Sequence, residues 1–294
     1  MAVIITRRKW LRQPSGFLNL DYSNPLIAGA RQVYVPSNDL LNVGNPNLNA
    51  GASGTWVKSG TVPVADSGLA MGAKPVGASG YLYTPVQIYE LTNVNPWTLA
   101  ALVSFPTSPS SAQSICTIAL SPGDPTHDRS ISVESNSGYF LAGSLYNGST
   151  RTVYDTTPVV ASKLYAVVVS AITGGTLAIY VNGLLKGSLA IAGAGSPGYG
   201  SADLVMGYGS PAGATQGTNA NSALLTRFDG INWGGGEAQA FAENPWQLFA
   251  PRTRRLYFAA HSGTSFSGTP GLGSLVKTGK INGLVIGYEF VPTF

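Results

Sequence analysis

Lys163-Leu164-Tyr165-Ala166-Val167-Val168-Val169-Ser170 is β-branched and largely apolar, the composition of a strand covered on both faces. Thr173-Gly174-Gly175 reads as a turn, and Thr176-Leu177-Ala178-Ile179-Tyr180-Val181 as the returning strand. Asn182-Gly183 then supplies the two positive-φ residues of a type I′ turn, and Leu184 to Leu189 forms a third strand. Residues 163–189 therefore predict a three-strand antiparallel meander.

Outward from this meander the same pattern repeats. Trp97-Thr98-Leu99-Ala100-Ala101-Leu102-Val103-Ser104-Phe105 is a strand stopped by Pro106. Further strands are predicted at Ser114–Leu120, Ser130–Glu134, Tyr139–Leu145 and Thr150–Tyr154, with shorter fragments at Tyr81–Tyr83 and Val86–Tyr89. A spacing of about ten residues with turn signals between is the pattern of a β-sandwich or barrel. Leu204–Tyr208 lies between two polar, glycine-rich loops, Gly193–Gly200 and Gly209–Asn221. The convincing helical composition is Glu237–Phe249, interrupted at Asn244-Pro245, where the proline opens a second short turn. No repeat of fixed period occurs. The expected organisation is a basic N-terminal arm (1–30), an all-β body (31–251) and a C-terminal β extension (252–294) with runs at Leu275–Lys277 and Leu284–Phe290.

Composition supports this class. In 294 residues there are 37 glycines and 19 prolines, about a fifth of the chain against an average near 12%. Charged residues are 10% and hydrophobic ones 44%, which is not the balance of a disordered chain. Glycine without a triplet period excludes collagen, and the glycine and proline content argues against a long-helix protein.

The net charge of +4 sits in two short segments. Arg7, Arg8, Lys9 and Arg12, beside Trp10, crowd one end, and Arg252, Arg254 and Arg255 the other. Between residues 13 and 251, eight Lys or Arg face twelve Asp or Glu, a local balance of −4. Neither cluster has the interleaved aromatics of a single-strand groove, so both read as docking arms for a partner protein rather than for nucleic acid. The single cysteine, Cys116, lies in an apolar run without basic neighbours, where a buried, inert thiol is expected. No signal-peptide pattern opens the chain, and no apolar window is long enough for a transmembrane helix.

Leu177-Ala178-Ile179-Tyr180-Val181-Asn182-Gly183 resembles the strand ending of the laminin-G or concanavalin A-like jelly-roll family. Residues 96–105 are similar to an earlier core strand of that family, and Arg227-Phe228-Asp229-Gly230-Ile231 to its closing strand. The resemblance spans roughly residues 30–250 and implies a two-sheet jelly roll. A second resemblance is narrower. Asn244-Pro245-Trp246-Gln247-Leu248-Phe249-Ala250-Pro251-Arg252, with Thr6-Arg7-Arg8-Lys9-Trp10 and Asn24-Pro25-Leu26, is similar to laminin-G-like proteins of tailed bacteriophages. It implies a virion structural protein made in the cytoplasm of an infected bacterium.

Candidate chemistry is sparse. His127, in Asp124-Pro125-Thr126-His127-Asp128-Arg129, belongs to a polar loop that could hold a metal or a sugar, and His261 reads as solvated. Tyr139, Tyr146, Tyr154, Tyr199, Tyr208 and Trp233 adjoin loops and could stack on sugars, although packing explains such aromatics equally well. The candidate ligand-binding set is Asp124, His127, Asp128, Arg129, Tyr146 and Trp233. The resemblance implies calcium as the usual ion, with Asp66, Asp124, Asp155, Asp203 and Asp229 as loop-like candidates. The closely spaced acids of a jelly-roll glycosidase are absent from the sequence, and no zinc or phosphate-loop spacing occurs. The leading expectation is a non-enzymatic virion protein, decorating capsid or tail and self-associating, docked through its arms and by strand addition to a partner sheet. The alternative is a carbohydrate-binding receptor module of a tail fibre, and a glycan-cleaving enzyme comes third.

Overall fold

A computed structural model of the chain describes residues 19–35, 57–59, 64–66, 71–73, 81–83, 96–109, 113–119, 127–133, 138–146, 149–172, 175–191, 203–206, 220–249, 274–281 and 284–291. Two compact units are present, Met1–Ala250 and Pro251–Phe294.

The first unit holds fifteen named strands: β1 (Ala30–Tyr34), β2 (Val57–Ser59), β3 (Val64–Asp66), β4 (Met71–Ala73), β5 (Tyr81–Tyr83), β6 (Trp97–Ser104), β7 (Gln113–Ala119), β8 (His127–Val133), β9 (Tyr139–Tyr146), β10 (Ser149–Pro158), β11 (Leu164–Ala171), β12 (Thr176–Val181), β13 (Leu184–Ala190), β14 (Asp203–Met206) and β15 (Asn221–Asp229). They form two antiparallel sheets. The first runs β13-β12-β11-β6-β15-β4-β3, with β1 also paired to β15, and the second runs β10-β9-β8-β7-β14-β5-β2. This is the predicted all-β, two-sheet jelly-roll sandwich.

The meander stands as read, in β11, β12 and β13. Asn182 and Gly183 take φ of 52° and 81°, the left-handed geometry that this turn requires. Gly183 is constrained twice, because a Cβ there would lie 2.9 Å from Gln239 Cα.

Alternation along the strands explains why the central sequences are so continuously apolar. Leu99, Ala101 and Val103 of β6, with Val167 and Val169 of β11, face Ile115, Ile131, Val133 and Phe140 in the core between the sheets. Their neighbours Ala100, Leu102, Ala166 and Val168 face the opposite way, into a second core. That second core is roofed by helix α1 (Gly235–Glu243) and a 3₁₀ turn, Pro245–Leu248, which contribute Phe241, Trp246 and Leu248. A sheet buried on both faces leaves no position for a polar alternation.

The predicted helix over 237–249 thus resolves into two pieces, divided at Asn244 because Pro245 cannot continue the α-helical ladder. Two other expectations, by contrast, are corrected. Residues 19–30 do not belong to an arm outside the sandwich: Leu20, Leu26 and Ile27 are buried in the second core, and Leu20 bridges to Phe249. The Asp21 amide donates to the Leu248 carbonyl at 2.9 Å, and Asn24 Nδ2 to the Gln247 carbonyl at 2.8 Å. The polar loop expected over 209–221 ends early, since Ala220 is buried and Asn221 opens the fully buried β15. Small and polar side chains there fit against β6 rather than facing solvent.

Asn244–Phe249 therefore has a structural reason to be as it is. Its backbone carbonyls receive the chain at 21–24, and its apolar side chains close the layer above the sheet.

The second unit contains one described antiparallel hairpin, β16 (Ser274–Ile281) with β17 (Leu284–Val291), covering both β runs predicted for the extension.

Candidate functional site

At one end of the sandwich the register gathers the start of β6, the end of β15 and the start of β8. Trp97 pairs with Asp229 and with Ala171, and Arg227 pairs with Leu99 and with Gln32. Arg227 and Asp229 are two apart on one strand, so they share the face turned toward the second sheet.

There they form a buried, charge-assisted cluster. Arg227 donates to Asp229 twice, Nε to Oδ1 at 3.0 Å and Nη2 to Oδ2 at 2.6 Å. Arg129 reaches across from β8, with Nη1 at 3.8 Å from Oδ1, and its guanidinium lies 4.9 Å from the centre of the Trp97 ring. Arg31 adds a third cation, Nε at 3.6 Å from Oδ2, from the surface. Arg227 Nη1 also contacts Gln32 Oε1 at 3.5 Å, and Gln32 Nε2 donates to Tyr34 Oη at 3.3 Å. The side chains of Arg129, Arg227 and Asp229 are 1%, 1% and 3% exposed. Removed from water, a bidentate pair of this kind fixes geometry more than an exposed one can. The cluster joins the two sheets at this end.

A similar clasp closes the open edge. Asp155 of β10 accepts the Thr157 amide at 2.9 Å and lies 4.0 Å from Lys186 Nζ of β13, on the other sheet.

The predicted ligand-binding residues divide. Arg129 pairs with Ser144 across β8 and β9, so His127 and Asp128 on β8 and Tyr146 at the end of β9 are carried to the same end of the second sheet. Asp124 and the docking-arm residues Arg7, Arg8, Lys9, Trp10, Arg12, Arg252, Arg254 and Arg255 lie outside the described residues. Arg129 is not a loop side chain open to ligand; its guanidinium is committed to Trp97 and Asp229.

Trp233 is likewise corrected. It is 1% exposed and sits under α1, with ring centres 4.4 Å from Phe228 and 5.6 Å from Phe241. Its backbone amide donates to Thr98 Oγ1 at 3.0 Å, and its carbonyl accepts Ser170 Oγ at 2.8 Å. The glycine-rich surroundings of Trp233 disguise a core residue. Among the loop-adjacent aromatics, Tyr154 on the edge strand β10 does remain open, at 41%.

Of the calcium candidates, Asp155 and Asp229 do not fit the ion, because each carboxylate is held by cationic side chains of its own protein. The side chains of Asp66, Asp124 and Asp203 lie outside the described set. Sequence reading passed over Arg227, Gln32 and Trp97 as members of the cluster. The available signal was the Arg-x-Asp spacing of residues 227–229, which puts opposite charges on one face of a strand.

Cys116 is buried, and desolvation pushes its thiol up to about 12. The expected result with Ellman's reagent at pH 8 is no colour from native protein and one equivalent after unfolding, since the thiolate is the reacting form. Rapid labelling of the native chain would contradict this burial.

No helix among the described residues is long and apolar enough to cross a membrane. Comparison with curated proteins gives no match. Solved structures do match in fold. One is a botulinum neurotoxin type C structure concerned with interaction with two ganglioside molecules (TM-score 0.53, 12% identity, 78% of this chain and 53% of that one). Another is the botulinum neurotoxin serotype D ligand-binding domain in complex with N-acetylneuraminic acid (0.54, 10%, 73% and 50%). A third is the botulinum neurotoxin DC binding domain in complex with rat synaptotagmin II (0.50, 11%, 73% and 51%). This chain spans about half the length of each of them. A laminin G family model, described as the concanavalin A-like lectin/glucanases superfamily, matches residues 76–226, just over half of the chain. With the two-sheet sandwich and its meander already in view, the chain belongs to the concanavalin A-like lectin/glucanases superfamily.

Proposed function

We propose that this chain is a non-enzymatic glycan-recognition module. The observation that carries the reading is membership of a lectin-containing superfamily, combined with a strand-end region that is rigidly clasped across the two sheets. Similar structures are named for interaction with two ganglioside molecules and for a complex with N-acetylneuraminic acid, which supports sugar as the ligand class. The carboxylate at the centre of the cluster, Asp229, accepts twice from Arg227 and lies within 4 Å of Arg129 and Arg31. Buried and with both oxygens taken up by Arg227, it positions strands rather than facing a glycan.

In this reading Asp124, His127, Asp128 and Tyr146 are the ligand-contacting candidates, and buried Arg129 ties β8 to the first sheet through Asp229. Calcium, if it takes part, is held through Asp66, Asp124 or Asp203. The test is a glycan array followed by titration calorimetry on the hits. Alanine at His127, Asp128 or Tyr146 should weaken binding about tenfold or more, the scale of one lost directional contact, with an unchanged melting temperature. A chain that binds no glycan overturns the proposal.

A second reading concerns where the module is carried. It rests on the resemblance of the Asn244–Phe249 segment to bacteriophage laminin-G-like proteins. On this reading the chain is a virion component made in the host bacterial cytoplasm. Arg7, Arg8, Lys9, Trp10, Arg12, Arg252, Arg254 and Arg255 dock it to capsid or tail proteins. Cryo-electron microscopy of purified virions should find it in regular contact with shell or tail through both basic segments; particles lacking it would refute the assignment.

A further inference from the structure

The second unit poses a physical problem. Its described regular structure is one two-stranded sheet, β16 with β17. An isolated hairpin is marginal in water, and three or more strands are needed for independent stability. A further strand on either edge would stabilise it, and the two edges of the hairpin are not equivalent.

β16 reads Ser274-Leu275-Val276-Lys277-Thr278-Gly279-Lys280-Ile281, with two lysines. Lysine on an edge strand is a recognised block to further pairing. β17 reads Leu284-Val285-Ile286-Gly287-Tyr288-Glu289-Phe290-Val291, with β-branched and aromatic residues and a single charge. It contains no proline and no lysine, so its outer edge is open in sequence terms. Apart from shifts around Gly279, the two strands pair along their length, from Ser274 with Val291 to Ile281 with Leu284.

We infer that β17 pairs with β17 of a second copy of this chain, making a four-stranded antiparallel sheet ordered β16-β17-β17-β16. Self-complementarity favours a copy over a different partner. A two-fold axis at Gly287 sets Tyr288 opposite Ile286 of the copy, Phe290 opposite Leu284, and Glu289 opposite Val285. Each apolar pair occurs twice by symmetry. Aromatic and β-branched residues directly opposed are the pairs that stabilise sheets, and no like charges meet. The outer strands of the resulting sheet are the lysine-bearing ones, so the assembly closes at four strands and does not grow.

This inference is independent of glycan binding. Sedimentation equilibrium of the full chain at micromolar concentration should give twice 30.4 kDa. Tyr288→Lys should be monomeric at the same concentration, whereas Thr278→Lys, on the blocked strand, should stay dimeric. Because Tyr288→Lys could also act by disordering the hairpin, Gly287→Cys supplies a direct readout. Residue 287 meets its own copy at the axis, so mild oxidation should give a covalent dimer on a non-reducing gel, with buried Cys116 silent. A wild-type chain sedimenting at 30.4 kDa, a dimer that survives Tyr288→Lys, or a Gly287→Cys chain that stays uncrosslinked would overturn the pairing.

Discussion

Asp229→Asn should lower the unfolding free energy by about 3–5 kcal/mol, the cost of leaving buried cations without their counter-charge. The substitution preserves shape, so cavity formation contributes little. Arg227 and Arg129 remain at 1% exposure, with the carboxylate that joined them replaced by a neutral amide. One of the amide's two acceptor positions becomes a donor facing a guanidinium. Arg31→Ala provides the contrast. Its side chain is 44% exposed, and an exposed ion pair is worth about 0–1 kcal/mol. Urea denaturation of both variants measures the difference. Equal midpoints would show that the cluster does not join the sheets.

Trp233→Ala should cost a similar amount, about 3–5 kcal/mol, by opening a cavity beneath α1. Phe228 and Phe241 lose their ring contacts, and the rest of the second core must close over a large void. Because β6, β11 and β15 supply side chains to both cores, loosening the outer layer should not uncouple it from the sandwich. Thermal unfolding followed by far-ultraviolet circular dichroism and by tryptophan fluorescence should therefore stay coincident at a lower midpoint. Two separated transitions would mean that the helical layer is an independent appendage.

The fold was legible where local chemistry repeats with the period of the structure. β11 announced its double burial through a largely apolar, β-branched run, and Asn182-Gly183 announced its turn through the residue pair that a type I′ hairpin favours. The strand-end cluster was not legible as a unit. Arg129 and Asp229 are a hundred positions apart, and their meeting depends on the packing of two sheets, which no local window contains. Trp233 misled for the opposite reason. Its neighbours Gly234, Gly235 and Gly236 have loop composition, but Thr98 and Ser170 fasten its backbone to the sheet and turn the ring inward. Residues 19–27 were misplaced because their contacts are with Asn244–Phe249, at the far end of the body's sequence. Chemistry carried by single residues, such as the Cys116 thiol, was easier to read: an apolar run implies burial, and burial implies a neutral thiol.

These features bear on function through rigidity. A binding surface carried at strand ends needs a scaffold that does not move when the ligand arrives. The Arg–Asp cluster at one end and the Asp155–Lys186 clasp at the open edge both link strands of different sheets. Both use inward-facing acids whose partners are cations, which gives those acids a structural task.

The most direct measurement is to incubate the full chain with the best hit from a glycan array, titrate the complex by calorimetry, and then recover the glycan for mass spectrometry. A saturable isotherm weakened by alanine at His127, Asp128 or Tyr146, with the glycan returned intact, is the predicted result. Absence of binding across the array, or recovery of a cleaved glycan, would contradict the reading of this chain as a non-enzymatic glycan-recognition module.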